Sequence, residues 1–317
     1  MQQRQIGKSD ISIAPIMLGG NVFGWTADEP TSFAVLDAFV AAGFNAIDTA
    51  DVYSAWAPGH KGGESETVLG NWMAARKSRS QIVLATKVGM LPIGGKPGLS
   101  ATQITEAAEG SLRRLKTDYI DIYFAHRDHE DTPLDETLEA FARLVRQGKV
   151  RMIGASNYSA PRLSQALQTA STRALPRYEI LQPLYNLCDR AAFEGELAEL
   201  CLREKIGVVP YYGLAAGFLT GKYRTQADVA KSPRGAGVVK KYLNPRGERI
   251  LSALDQIAAR LAATPAQVAL AWLMAQPAVT APIASASSPS QVEDLAAAAT
   301  LKLDAQAQAL LAEASAA

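Results

Sequence analysis

The chain has 317 residues, 48% of them hydrophobic, enough to bury a large core as one big α/β domain or two ordinary ones. Lys plus Arg number 32 against 31 Asp plus Glu, so the net charge of +1 offers no field for gathering nucleic acid or an anionic membrane surface. The opening MQQRQIGKSD lacks a signal peptide's apolar run, no stretch has the apolar length of a membrane span, and Cys188 and Cys201 are too few for a disulfide framework. These features lead us to expect a cytoplasmic protein with two buried, reduced thiols.

In chain order, residues 3–7 and 11–14 read as a hairpin about the turn Lys8-Ser9-Asp10. Short β-branched or apolar runs follow at 13–18, 46–49 and 82–87. Ser100 and Gln103 form a capping box, and Ile104, Leu112 and Leu115 put one apolar face on the helix behind it. After a strand at 120–125, Leu134, Leu138, Phe141 and Leu144 repeat the helical period until Gly148, a natural C-terminal cap. Strands at 152–155, 180–182 and 208–211 come next. Thr264-Pro265 with Gln267 opens a helix before a last strand at 279–284, and Ser288-Pro289 with Gln291 opens another after it.

Eight strands alternating with helices, in a chain somewhat longer than ~250 residues, predict an α/β fold: one closed (β/α)8 TIM barrel over residues 1–317, with an N-terminal β-hairpin at its far end and an extra C-terminal helix. A doubly wound open sheet is the alternative. A barrel of this kind carries its site at the C-terminal ends of the strands, and four reactive side chains fall there. They are Asp48 and Tyr53 after the second strand, Lys87 at the end of the third and His126 after the fourth.

An acid, a phenol, an amine and an imidazole on neighbouring staves suit proton chemistry. Free tyrosine titrates near ~10, and an adjacent ammonium would bring it toward neutrality. In that arrangement Lys87 is the depressor, Asp48 holds the ammonium charged and aimed, Tyr53 exchanges a proton with a carbonyl or alcohol oxygen, and a neutral His126 holds that oxygen in line. The run from His126 to Asp131 offers metal-ligand types, but its spacing does not build a coordination shell, and no metal is expected.

The motifs IDTADVY, ATKVG and the strand ending in His126 resemble those of aldo-keto reductases, and the likeness runs from the hairpin to the last helix. The resemblance implies a NAD(P)H-dependent oxidoreductase acting on an aldehyde, ketone, sugar or alcohol, with Asp48, Tyr53, Lys87 and His126 as its catalytic tetrad. In GASNYS and LQPLYN it implies that Ser156, Asn157 and Gln182 bind the nicotinamide carboxamide, and that Tyr211 stacks on the ring. It extends the cofactor contacts to Gly213, Leu214, Gly217, Leu219, Gly221 and Lys222, and to Ser285, Ser287 and Gln291 near the adenosine.

The glycines at 217 and 221 let backbone N–H groups approach a pyrophosphate, and the basic segment AKSPRGAGVVKKYLNPRG reads as a mobile clasp over it. IASASSPSQVEDL lacks the arginine or lysine that such enzymes often set against a 2′-phosphate, and Leu295 replaces a common adenine-binding asparagine. Arg234 of the clasp is the compensating cation, so NADP(H) is favoured with NAD(H) the alternative. Tyr212-Gly213 departs from the usual Ser-Pro. Phe23, Trp25 and Trp56 are expected to line the substrate mouth, with the insertion at 56–63 shaping it. A redox-sensing regulatory subunit that keeps the tetrad, and a Schiff-base aldolase using Lys87, are the other readings; no nucleic-acid or membrane partner is expected, and the oligomeric state is open.

Overall fold

The computed structural model describes residues 1–316. Two short antiparallel strands, β1 (Arg4–Gln5) and β2 (Ser12–Ile13), form the hairpin. Eight parallel strands follow: β3 (Met17–Gly19), β4 (Ala46–Asp48), β5 (Val83–Val88), β6 (Ile120–Ala125), β7 (Val150–Ser156), β8 (Ile180–Gln182), β9 (Gly207–Val208) and β10 (Ile283–Ala284). Between and after them run α1 (Glu29–Ala41), α2 (Glu64–Arg76), α3 (Ala101–Leu115), α4 (Leu134–Arg146), α5 (Ala160–Thr172), α6 (Glu196–Glu204), α7 (Gly235–Tyr242), α8 (Pro245–Leu261), α9 (Pro265–Met274), α10 (Pro289–Thr300) and α11 (Ala305–Ala314).

β3 to β9 pair in chain order, with β10 beside β3. The sheet closes where the Ile283 N–H donates to the Pro210 carbonyl at 2.9 Å and the Thr280 N–H to the Val208 carbonyl at 2.8 Å. The expected barrel is therefore the observed one. Three of the expected strand runs are cut short, and proline explains all three, while β7 begins at Val150 and so is longer than its reading of 152–155. The run 13–18 is two strands, because Ile13 ends the hairpin and the chain turns through Ala14-Pro15-Ile16 before β3. At the seam, Pro210 and Pro282 remove ladder donors, so 208–211 and 279–284 keep only short regular pieces, joined by a bridge between Val208 and Val279.

The period of two along each strand divides the core. Met17, Ala46, Val83, Ala85, Ile122, Phe124, Met152, Ile180, Val209 and Ile283 fill the barrel, while Ile6, Ile11 and Ile13 of the hairpin plug its N-terminal end. Gly154 is required inside, since a Cβ there would lie 2.6 Å from both the Phe124 ring and the Ile180 side chain. The opposite parity, with Leu18, Ile47, Leu84, Tyr123, Ile153 and Leu181, packs under the helices. Capping boxes begin α3 at Ser100 and α9 at Thr264, and Ser288 caps α10. The clasp is built from helical turns: a 3₁₀ piece at Gln226–Lys231, then α7 and the start of α8. Among the described residues, no single helix is long and apolar enough to cross a membrane.

Candidate active site

Continuing the inward parity one step past the apolar filling brings Asp48, Lys87, His126, Ser156, Gln182 and Tyr211 to the C-terminal mouth of the barrel. Lys87 is wholly buried, Asp48 2% exposed and His126 8% exposed. The Lys87 ammonium donates to Asp48 Oδ2 at 2.7 Å, to the Thr49 carbonyl at 2.7 Å and to the Tyr53 hydroxyl at 3.2 Å. All three of its protons are committed. The other carboxylate oxygen of Asp48 accepts from Gln182 Nε2 at 2.9 Å. Burial presses Asp48 upward and Lys87 downward, and each opposes the shift of the other; the short contact and the added hydrogen bonds keep the pair ionised.

The phenol departs from the sequence reading. Burial, followed by the Asp48 charge, raises Tyr53 well above its ordinary value of 10.0, so Lys87 does not act as a net depressor. The physical reason is chiefly burial, which disfavours the phenolate, with the nearby Asp48 charge adding to it. Tyr53 thus rests as a phenol with its hydroxyl oxygen held by an N–H donor and its own proton free to give. The His126 ring stands 6.0 Å from the Tyr53 ring at 72°. Burial, then Lys87 and Arg127, lower it well below 6.5, which leaves a neutral imidazole with one N–H to donate.

Beside this cluster lies a set of neutral polar groups. Ser156 Oγ donates to the Gln182 carbonyl at 2.9 Å; Asn157 Nδ2 donates to the His126 carbonyl at 2.9 Å and to Ser156 Oγ at 3.1 Å; and the Tyr211 hydroxyl donates to Asn157 Oδ1 at 2.9 Å. Asn157 occupies a left-handed conformation at φ 58, which asparagine tolerates. Uncharged hydroxyls and amides beside an aromatic face fit a neutral carboxamide on a flat ring better than they fit an ion. Tyr212, 46% exposed, sets its ring edgewise on Tyr211 at 5.2 Å instead of entering the barrel.

From Tyr212 the backbone takes positive φ at Tyr212, Ala215, Ala216, Gly217 and Gly221, a winding of the kind that gathers N–H groups around anions. Gly213 is buried and Leu214 half-buried, whereas Leu219 is wholly buried in the core, so only its backbone faces the loop. Lys222 is exposed, its ammonium 5.1 Å from the Tyr223 ring. On the facing rim Ser285 Oγ donates to Asn21 Oδ1 at 2.5 Å, and Gln291 Oε1 accepts the Ser287 N–H at 2.8 Å, at the start of α10. Leu295 packs into the core at 4% exposure.

Four side chains form a line across the mouth. The Arg234 guanidinium lies 4.9 Å over the Trp25 ring, Trp25 meets Trp56 edgewise at 5.6 Å, and Trp56 meets Tyr53 edgewise at 5.6 Å. Phe23 does not join them: it is wholly buried, 0% exposed, in the helix-side core. The run after His126 diverges, with Asp128 paired to Arg162 at 2.7 Å and His129 Nε2 on the Gly89 carbonyl at 2.7 Å.

Sequence reasoning missed what supports the site. Glu64 accepts the N–H groups of Ser54, Lys61 and Gly62 at 3.2, 2.7 and 3.0 Å, and so folds the insertion that carries Trp56. Behind the catalytic strands it also missed Asp51, Glu66, Arg114 and Tyr123. The available signal was the pair of acids in GGESE, where a helix facing a barrel should be apolar on one side.

The family model described as the aldo/keto reductase family matches residues 15–316. Among curated proteins, the chain is 33% identical to the uncharacterized oxidoreductase YrpG of Bacillus subtilis, over 96% of this chain and 93% of that protein. It is 33% identical to Protein tas of Escherichia coli, over 92% and 91%. It is also 32% identical to a probable voltage-gated potassium channel subunit beta of Arabidopsis thaliana, over 93% and 90%.

Proposed function

The chain belongs to the aldo/keto reductase family, and on that premise we propose that it interconverts a carbonyl compound (an aldehyde, ketone or sugar) and its alcohol, with NADP(H) favoured over NAD(H) and Tyr53 as general acid and base. The observation that carries this reading is the buried, fully hydrogen-bonded Asp48–Lys87 pair with the Tyr53 hydroxyl 3.2 Å from the ammonium. Reduced nicotinamide, when bound, supplies the hydride that the carbonyl carbon receives.

The chain's own residues hold the oxygen and move the proton. The Tyr53 hydroxyl and the neutral His126 N–H point the carbonyl oxygen, as negative charge grows on it, at two donors in a water-poor mouth. Tyr53 then gives its proton to that oxygen, and the Lys87 ammonium, 3.2 Å from the phenol oxygen, stabilises the phenolate left behind. In the alcohol direction the phenolate takes the proton back. An alkoxide is a stronger base than a phenolate, so a phenol raised by burial still delivers its proton downhill. Ser156, Asn157 and Gln182 orient the carboxamide and Tyr211 sets the ring plane. Leu214, Gly217, Gly221 and Lys222 meet the pyrophosphate, and Ser285, Ser287 and Gln291 the adenosine.

Lys222 is the cation that supports a 2′-phosphate, since the segment 285–295 has none, whereas Arg234, expected to do so from the sequence, lies over Trp25 in the line that reaches Tyr53 at the substrate mouth. Mixing the protein with NADPH or NADH and a panel of aldehydes, ketones and sugars tests both parts of the reading. NADPH oxidation with at least one carbonyl and tighter binding of NADPH than NADH are expected. A protein that binds NADPH and reduces none of the panel would fit instead a second reading, a nucleotide-bearing regulatory subunit, for which the relative named as a potassium channel subunit beta is the supporting observation.

A further inference from the structure

Behind the catalytic strands, on the far side of the barrel wall from the substrate mouth, sits a buried cluster that the proton chemistry above does not use. Asp51 is 1% exposed and Glu66 0% exposed. Glu66 Oε2 accepts from Arg114 Nε at 2.7 Å, and its other oxygen accepts the Thr86 hydroxyl at 2.6 Å. Both carboxyl oxygens of Asp51, and the Tyr123 hydroxyl, have no hydrogen-bond partner among the described residues. Two carboxyl groups thus share one guanidinium. A buried carboxylate without partners is expensive, so ionising Asp51 beside the already charged Glu66 is opposed.

The neighbours of Asp51 are Glu66 from α2, Arg114 from α3, Tyr123 from β6 and, through the wall, Lys87 from β5. Glu106, Glu109 and Arg113 line the outer part of the same cavity, about 470 Å³ between the loop after β4 and α3, with Glu109 also paired to Lys149. The tie to the catalytic lysine is direct in the chain: Thr86, which bonds Glu66, precedes Lys87, and the Asp51 N–H donates to the Lys87 carbonyl at 3.3 Å. The charges of Asp51 and Glu66 both favour the Lys87 ammonium.

We propose that Asp51 is a positioning residue acting through Lys87, its walled-off carboxyl holding the ammonium charged as the solution turns alkaline. Burial first, then Glu66, raises the Asp51 carboxyl well above 3.8, so it gives up its proton later than an ordinary aspartate. As pH rises it releases that proton to water. The new negative charge opposes deprotonation of both Lys87 and Tyr53, and the protonated phenol that carbonyl reduction needs persists to higher pH.

This inference rests on Tyr53 being the acid, and two measurements separate the failure of one from the failure of the other. In Asp51→Asn, the alkaline limb of kcat/KM for carbonyl reduction, read against the variant's own plateau, is expected to move down by at least ~0.5 pH unit with the acid limb in place. A missing side-chain packing role would lower the plateau and leave the limb where it was; an unmoved limb overturns the proposal while leaving the Tyr53 assignment untouched. The second measurement needs neither turnover nor a stable variant: carbon-13 titration of aspartate carboxyls in the wild-type protein. One carboxyl still protonated about two units above the ordinary aspartate value supports the proposal, and complete ionisation by that pH overturns it.

Discussion

Lys87 is wholly buried and gives each of its three protons to a different oxygen, so its removal touches charge balance, the position of Tyr53 and the loop carbonyl of Thr49 together. Lys87→Met strands a buried carboxylate and is expected to lower unfolding free energy by ~3–5 kcal/mol in urea denaturation, whereas adding Asp48→Asn to it should restore part of that loss. A double variant no more stable than the single one would show that the pair is not coupled. His126 bears on pH. Its imidazole is lowered well below 6.5 in the folded state, so below 6.5 the unfolded chain binds a proton that the folded one refuses, and stability falls as pH drops through that window. The thermal midpoint of wild type should therefore decline more steeply below pH 6.5 than that of His126→Gln. Parallel declines would place the His126 titration at its ordinary value. At this scale the tetrad's residue types were legible in the sequence because Asp48, Lys87 and His126 each lie one inward step past apolar strand residues and Tyr53 follows in the loop after β4. The state of Tyr53 was not, since it depends first on how deeply the fold buries the hydroxyl and then on how close Asp48 comes to it.

Among the elements, the strands of the middle of the barrel were read most closely, because β5 and β6 are long, apolar and uninterrupted. The start of β3 was blurred by Pro15, and the strands at the seam by Pro210 and Pro282, which cut the ladders without interrupting the apolar pattern. Loops were the least legible. The insertion at 56–63 is rich in glycine and polar residues and suggests freedom, yet Glu64 collects three backbone donors and fixes it. Glu64→Ala frees those donors and with them the Trp56 ring, so KM for a carbonyl substrate is expected to rise about tenfold, worth ~1.4 kcal/mol, with dinucleotide affinity unchanged. Equal losses in both would mean that the loop supports the cofactor side instead. The segment read as a clasp is largely helical, which its basic, glycine-bearing sequence did not announce, because Val238, Val239 and Tyr242 give α7 one buried face.

At the scale of the whole molecule, one end of the barrel is packed shut and the other gathers the candidate tetrad. Ile6, Ile11 and Ile13 close the N-terminal end, at the opposite end of the strands from the mouth where Asp48, Tyr53, Lys87 and His126 meet. Ile13→Ala is expected to cost ~2–4 kcal/mol of stability while kcat and KM at 25 °C stay as they were, so far as the protein remains folded. A change in KM without loss of stability would contradict that division. The barrel was legible because eight strand-helix alternations leave few other closed solutions. The charged cluster of Asp51, Glu66 and Arg114 was not, because its members lie 15 and 48 residues apart in sequence and meet only once α2 and α3 dock on the strands. The central claim is that the Tyr53 phenol delivers the proton as hydride reaches the carbonyl carbon. Single-turnover oxidation of bound NADPH by an aldehyde, compared between wild type and Tyr53→Phe, tests it directly. The variant should bind NADPH within about threefold of wild type and transfer hydride at least ~10²-fold more slowly, and an unchanged rate of hydride transfer would contradict the assignment.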